Sequence, residues 1–246
     1  MATKTMRITG AHRLLADSLR FMNAYRNVLA KVMVVAAIIN IIINLGLSSE
    51  AAGLYQSIWF VIISCAVIWT IRHLEDRQVK VTLARAYYTG TAPTLRFFLT
   101  LILVALATLP FSIGAFIYSV VSAVISGSTI IEQILAGMLW LALGLASLLL
   151  LARTAFSLLI VTLPEIRPIQ SLKISWQLVR GKANVIVGRL AVASFYLGLI
   201  SILVIVGISY LPLSEAIGNS IVSLLGTVFV LPLAYIYLFK LYQAVK

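Results

Sequence analysis

Histidine, cysteine and serine are where chemistry would be sought first, and this chain places them sparsely. Its two histidines, His12 and His73, stand far apart and outside the long apolar runs, a spacing that suggests no metal site. The single cysteine, Cys65, lies within an apolar run. No disulfide framework can form within the chain, and a small buried packing residue is the expectation. Ser157 and Ser175 have no neighbouring histidine or lysine in any motif that would activate a nucleophile. H-E-x-x-H, a Walker loop, paired intramembrane aspartates and cysteine clusters are missing from the sequence. Catalysis, a metal and a cofactor are therefore not expected.

The polar residues that stand inside apolar runs are Arg153, Arg189, Asn40 and Asn44. An arginine within a membrane span is expensive and draws attention to itself. Both arginines lie toward the basic ends of their runs, so snorkelling to the interface accounts for them. A sharper reading pairs Arg153 with Glu165 or with a lipid phosphate. Asn40 and Asn44 are four apart, on one helix face, where amides bond across helices; structural glue is favoured over a substrate pathway.

These residues must be positioned by membrane-spanning helices. Of the 246 residues, 62% are hydrophobic and only 11% charged, with a mean hydropathy of +1.08. A soluble domain is about half apolar and about a quarter charged. Counted against the roughly 20 apolar residues a bilayer core requires, six spans fall near 28–47, 54–71, 95–125, 134–163, 183–210 and 216–238, with Pro110 kinking the third. They group as a basic tail and interfacial helix (1–27), hairpin one (28–71), a polar segment (72–94), hairpin two (95–163), a second interfacial stretch (164–182) and hairpin three (183–246). The first long run starts behind a basic segment too long for a signal n-region, so no cleavable leader is expected. The fold expected is all-α, a single polytopic membrane domain.

Charge gives the orientation. All 19 Lys and Arg lie on the segments before spans one, three and five, on span ends touching them, or on the C-terminal tail. The three remaining loops each carry one acid instead: Glu50, Glu132 and Glu215. The positive-inside rule then puts both termini in the cytoplasm of a plasma-membrane protein. The net charge of +12 is thereby explained by topology and the anionic membrane surface, and nucleic acid is not an expected partner.

The stretch 163–182 interrupts the oil. Pro168 suits a first helical position and Gly181 a left-handed helix end. Between them Ile169, Leu172, Trp176 and Val179 form an apolar stripe, and Gln170, Lys173, Gln177 and Arg180 a polar one. That is the pattern of a helix lying along a membrane surface. Residues 11–27, with Leu15, Leu19 and Met22 against Arg13, Asp17 and Arg20, read the same way. Ser18-Leu19-Arg20 and Ser171-Leu172-Lys173 open comparable stretches, with a weaker copy around Leu83-Ala84-Arg85. Three units of surface helix plus hairpin are one explanation; selection of similar interfacial segments by the same physics is the other.

Ser-Leu-Lys-Ile-Ser-Trp-Gln-Leu-Val-Arg-Gly (171–181) resembles the "A-L-x-x-S-W-x-L-x-x-G" signature of the glycerophosphoryl diester phosphodiesterase membrane-domain and YciC-like proteins. Arg153 and Pro164-Glu165 upstream resemble the order of that family's motifs, although Pro164 adjoins the acid and no Gly follows it. The resemblance implies a polytopic membrane protein of poorly defined role. The phosphodiesterase of the family's name belongs to a separate soluble domain that this chain lacks.

The expectation is a non-catalytic protein acting on or through lipid, in envelope homeostasis or assembly. Its cytoplasmic basic face (Arg13, Arg20, Arg77, Lys80, Arg85, Lys173, Arg180, Lys182) would engage anionic headgroups. The candidate lipid residues are Arg153, Glu165, Lys173, Ser175, Trp176, Arg180, Gly181 and Lys182. Stripes of small residues on spans three (Ala115, Ser119, Ser122, Ser126), four (Gly137, Gly144) and five (Ala191, Ser194, Gly198, Ser201) read as packing faces or as contacts to another copy or a membrane-protein partner. A transporter or permease-like subunit is the alternative.

Overall fold

The computed structural model describes residues 10–46, 49–76, 81–123, 130–211 and 215–246. Helix α1 (Ala11–Ala24) passes through Tyr25 into α2 (Arg26–Gly46), which pairs with α3 (Ser49–Asp76). The short α4 (Leu83–Tyr88) precedes α5 (Thr94–Ala105) and α6 (Leu109–Ala123), and the chain returns as α7 (Ile130–Thr154). Then α8 (Ser157–Ile160) and α9 (Pro168–Val179) lead to α10 (Ala183–Ser209), and α11 (Glu215–Leu225) and α12 (Leu231–Val245) end the chain. Six stretches are long and apolar enough to cross a bilayer: Arg26–Ile43, Ala51–Asp76, Thr94–Ser122, Ile130–Ile160, Ala183–Ser209 and Ser220–Val245. The protein is an all-α polytopic membrane protein.

Two spans are broken beside prolines. A proline lacks the N–H of the helical ladder and its ring crowds the carbonyl four residues back. Ahead of Pro110 the helix tightens into a 3-10 turn at Leu106–Thr108, and the following amide of Phe111 donates to Ser147 Oγ of α7 at 2.9 Å. Ahead of Pro232 the helix instead widens into a π turn at Gly226–Val230. The helix is interrupted where the kink at Pro110 is expected; the widening before Pro232 has no local sequence signal beyond the proline itself.

Burial is concentrated toward the cation-rich end of the bundle. Buried side chains gather where the cations are: Met33 on α2, Ile68 and Ile71 on α3, Phe97 on α5, Ile186 on α10, Ile236 and Leu241 on α12. Toward the far ends Leu54, Phe116, Leu141, Leu145, Ile202 and Leu203 are exposed and face the bilayer. In lipid an exposed leucine carries no hydrophobic penalty, so the packed end must hold the helices together. Small residues contribute unevenly. Gly114 of α6 lies so close to α7 that a Cβ would stand 3.0 Å from the Trp140 Cα, and Gly144 faces Phe111. The stripes read as packing faces on spans three and five pack only in part within the chain: Ala115, Gly198 and Ser201 are half-buried, Ser119, Ser122, Ala191 and Ser194 are exposed, and Ser126 lies outside the described residues.

Each surface helix packs on both helices of the hairpin before it. Helix α4 sits on α2 and α3, and α9 on α5 and α7. Helix α1 closes the circuit on α10 and α12. At each seat a small residue is fully buried: Ser18, Ala86 and Ser175, each three residues after a leucine (Leu15, Leu83, Leu172). Ser171, which the sequence reading aligned with Ser18, is fully buried on α9 as well. A buried small side chain lets two helix axes approach, whichever residues surround it.

Two boundaries also differ. The fourth span, read as one run over 134–163, extends over Ile130–Ile160, with its helix interrupted between Thr154 and Ser157. There Ser157 Oγ donates to the Thr154 carbonyl at 2.6 Å, and Arg72 Nη2 of α3 donates to the Leu159 carbonyl at 2.9 Å. Carbonyls captured by side chains no longer need the next helical turn. The last helix runs on to Val245 rather than stopping near 238.

Candidate functional site

Local chemistry places α9 as the sequence suggests. Pro168 occupies its first turn, the Arg167 amide donates to Gln170 Oε1 at 3.2 Å, and Gly181 beyond its end has φ 78°, the left-handed value. Glu165, two residues before the cap, also takes a left-handed φ of 66° and is exposed.

The orientation of α9 differs from a simple amphipathic reading. Its buried face is Ser171, Ser175 and Val179. The stripe of Ile169 and Trp176 faces outward, 74% and 43% exposed, with Leu172 half-buried between them. Ser175 Oγ donates to the Arg153 carbonyl at 2.7 Å, clamping the middle of α9 to the last turn of α7. Arg153 then sends its guanidinium over the Trp176 ring, 4.7 Å from the centroid. Ser175, expected among the lipid-contacting residues, is therefore a buried clamp, and Arg153 meets an aromatic ring; of the two partners its sharper reading offered, Glu165 or a lipid phosphate, Glu165 is not the one it contacts. A shallow depression beside this pair is lined by Ile169, Leu172, Lys173, Trp176 and Gln177. Lys173, Arg180 and Gly181 are exposed, while Lys182 Nζ, at the N-cap of α10, donates to the Val245 carbonyl at 3.1 Å and joins the start of α10 to the end of α12.

The other intramembrane polar residues lie elsewhere. Arg189 is only 9% exposed and lies beside Tyr237, whose Oη donates to the Arg189 carbonyl at 3.0 Å. Asn40 is buried; its Nδ2 donates to Ser223 Oγ at 2.7 Å, next to the π turn. Here a cavity of about 490 Å³ opens between α2, α3 and the α11–α12 span. The Asn44 side chain, Arg77 and Lys80 lie outside the described residues.

Three contacts escaped the sequence because their partners are remote. Lys240 Nζ stands 2.9 Å from both carboxylate oxygens of Glu75 and 5.0 Å from the Phe21 ring centroid, tying α1, α3 and α12 together. Trp59 Nε1 donates to the Ala36 carbonyl at 3.1 Å, and Tyr87 Oη donates to the Val32 carbonyl at 2.8 Å. The two rings stack, 6.2 Å apart and 6° from parallel, so they pin adjacent turns of α2. The complementary charges of Glu75 and Lys240, each at a span end, were the one available signal. Burial pushes the Tyr87 hydroxyl up to about 12.

No group of three or more His, Cys, Asp or Glu side chains that could hold a metal occurs among the described residues. His73 stacks on Trp69, and Cys65 is buried. The arrangement offers cations and an aromatic ring at an apolar surface, and neutral hydrogen-bonding groups at membrane depth. Comparison with family models, with curated proteins and with solved structures found no match to this chain.

Proposed function

We propose that this is a non-catalytic plasma-membrane protein that engages anionic lipid at its cation-rich end, with both termini in the cytoplasm. The observation that carries the reading is the outward stripe of α9 beside Arg153 over Trp176. An apolar stripe at the edge of a bundle belongs at the headgroup–acyl boundary, with tryptophan at the interface. Arg153, half-buried, and Lys173 and Arg180, exposed, sit where phosphates of that leaflet would be reached. The resemblance of 171–181 to the YciC-like signature agrees with a membrane role and adds no activity. Envelope lipid homeostasis or assembly follows as the setting.

Native mass spectrometry of the purified chain tests this with phosphatidylglycerol against phosphatidylcholine. Preferential retention of phosphatidylglycerol, reduced in Lys173→Gln/Arg180→Gln, is expected; equal retention of both lipids would overturn the reading. A fluorescent protein fused after Lys246 is expected to light up in the cytoplasm, and an active periplasmic reporter there would reverse the orientation. A permease-like subunit would call for a cavity joining Asn40 to Arg153. Arg153 stands on Trp176 and is not among the residues lining the Asn40 cavity, which favours the lipid reading.

A further inference from the structure

The π turn at Gly226–Val230 divides the last span into α11 and α12. There the Leu231 amide donates to the Gly226 carbonyl, five residues back, and Pro232 has no amide with which to tighten the turn. Single wide turns of this kind are rare inside helices and recur at functional sites. Gly226 opens the turn. A Cβ added there would meet no atom within 4 Å among the described residues, and the glycine lines two separate cavities.

Those cavities flank the span. One, of about 490 Å³, lies toward α2 and α3, and Ser223 and Thr227 line it beside Asn40. The other, of about 310 Å³, lies toward α1 and α10, and Val222, Leu225 and Phe229 line it with Leu197 and Val204 of α10. Close-packed interiors leave few voids larger than a water molecule, so a helix with such space on both sides is unusual. Its polar tie to α2 is narrow: Asn40 Nδ2 donates to Ser223 Oγ at 2.7 Å and, at 3.5 Å, to Thr227 Oγ1. Toward α10 the contact is apolar, and Gly218 of α11 meets Ile208, whose Cγ2 would stand 3.6 Å from an added Cβ.

We infer that α11 rocks about the π turn between two positions. In one, shown here, Asn40 latches it to α2; in the other it swings toward α10, Ser223 leaves Asn40 and the apolar cavity closes. Space thereby passes from one side of the span to the other, the cavity at Asn40 widening as its neighbour shrinks. The swing gives up a neutral hydrogen bond and regains the dispersion contacts that a void forfeits, so the two terms oppose each other. Hinges of this kind confine the backbone change to a few residues at an element's end. Helix α11 has 11 residues and is about 16 Å long, so a change of about 20° at the turn moves its outer end by about 5 Å. No residue of the α9 surface takes part, and the rocking stands or falls independently of the lipid reading there.

Electron–electron distances between nitroxide pairs test this in the full chain carrying Cys65→Ala, in lipid nanodiscs. Ile42 of α2, Leu203 of α10 and Ile217 of α11 are exposed and accept labels. Ile42→Cys/Ile217→Cys then reads the α2–α11 distance, and Leu203→Cys/Ile217→Cys the α10–α11 distance. Asn40→Ala removes the latch and is expected to lengthen the first and shorten the second by several ångströms. Ser223→Ala, which removes the acceptor instead, is expected to produce the same swing. Ser201→Leu adds bulk to the apolar cavity from α10, and in the Asn40→Ala chain it is expected to return both distances to the latched values. Distances that neither latch variant moves, or that do not move in opposite senses, overturn the proposal, as does a swing that survives Ser201→Leu.

Discussion

The Arg153 guanidinium lies over the Trp176 ring, 4.7 Å from its centroid, while the Arg153 carbonyl accepts from Ser175 one residue earlier in α9. One residue at the end of α7 thus holds α9 by backbone and by side chain. A cation–π pair at a partly exposed site contributes about 0.5–1 kcal/mol. Trp176→Leu and Arg153→Gln are each expected to lower the midpoint of thermal unfolding in detergent. The double variant is expected to lose less than the sum, by about that coupling energy. Additive losses would show that the two side chains are neighbours without interacting.

Ser175 separates the seat of α9 from its outward face. Ser175→Ala removes one hydrogen bond to the Arg153 carbonyl, and a loss of about 1 kcal/mol is expected. Ser175→Leu forces a large side chain into a fully buried position and is expected to cost about 1–3 kcal/mol, as overpacking does. Ile169→Ser, on the exposed stripe, is expected to leave stability in detergent unchanged while weakening retention of phosphatidylglycerol. Should Ile169→Ser destabilise the chain and Ser175→Leu not, α9 would be seated by the opposite face.

That contrast marks how far the sequence reaches. Span number, the helix break ahead of Pro110 and both ends of α9 were legible because each depends on a few adjacent residues: a run of apolar side chains, a missing N–H, a left-handed Gly181. Which face of α9 packs was not, because outward and inward surroundings are both apolar in a membrane, and an outward isoleucine carries no penalty. Ser171 and Ser175 could be read as polar-face residues as easily as a seat. The Asn40 amide was legible as an interhelical group, but its partners Ser223 and Thr227 stand 183 and 187 residues away, and the π turn beside them is a tertiary response to Pro232.

Glu75 and Lys240 form a close ion pair between remote elements, with side chains 30% and 21% exposed. They fasten α12 to α3 under α1, where Phe21 covers the ammonium. Because both side chains remain partly solvated, a coupling of up to about 1 kcal/mol is expected rather than the larger value of a dry pair. Glu75→Gln and Lys240→Met are each expected to loosen α1, read as faster amide exchange over Ala11–Ala24. The charge reversal Glu75→Lys/Lys240→Glu is expected to restore protection in part. Exchange in α1 unaffected by either single variant would remove the pair from the seat of that helix.

Tyr87, in α4 outside the membrane-spanning helices, supplies a pH dependence. Burial raises its hydroxyl from 10.0 to about 12, with Oη donating to the Val32 carbonyl at 2.8 Å. Below pH 10 both folded and unfolded chains hold this proton, and the stabilisation is fully present. Between 10 and 12 the unfolded chain releases the proton while the folded one keeps it. The unfolded state then binds fewer protons, so stability falls as pH rises and the contribution is lost by the folded value. Tyr87→Phe is expected to be less stable at neutral pH by about 1 kcal/mol through the lost hydrogen bond, yet to decline less steeply in alkali. Other titrating groups are common to both chains and cancel in the difference. Denaturant midpoints in detergent, followed from neutral pH into the alkaline range, are expected to converge; parallel curves would mean that the Tyr87 hydroxyl titrates alike in the folded and unfolded chain.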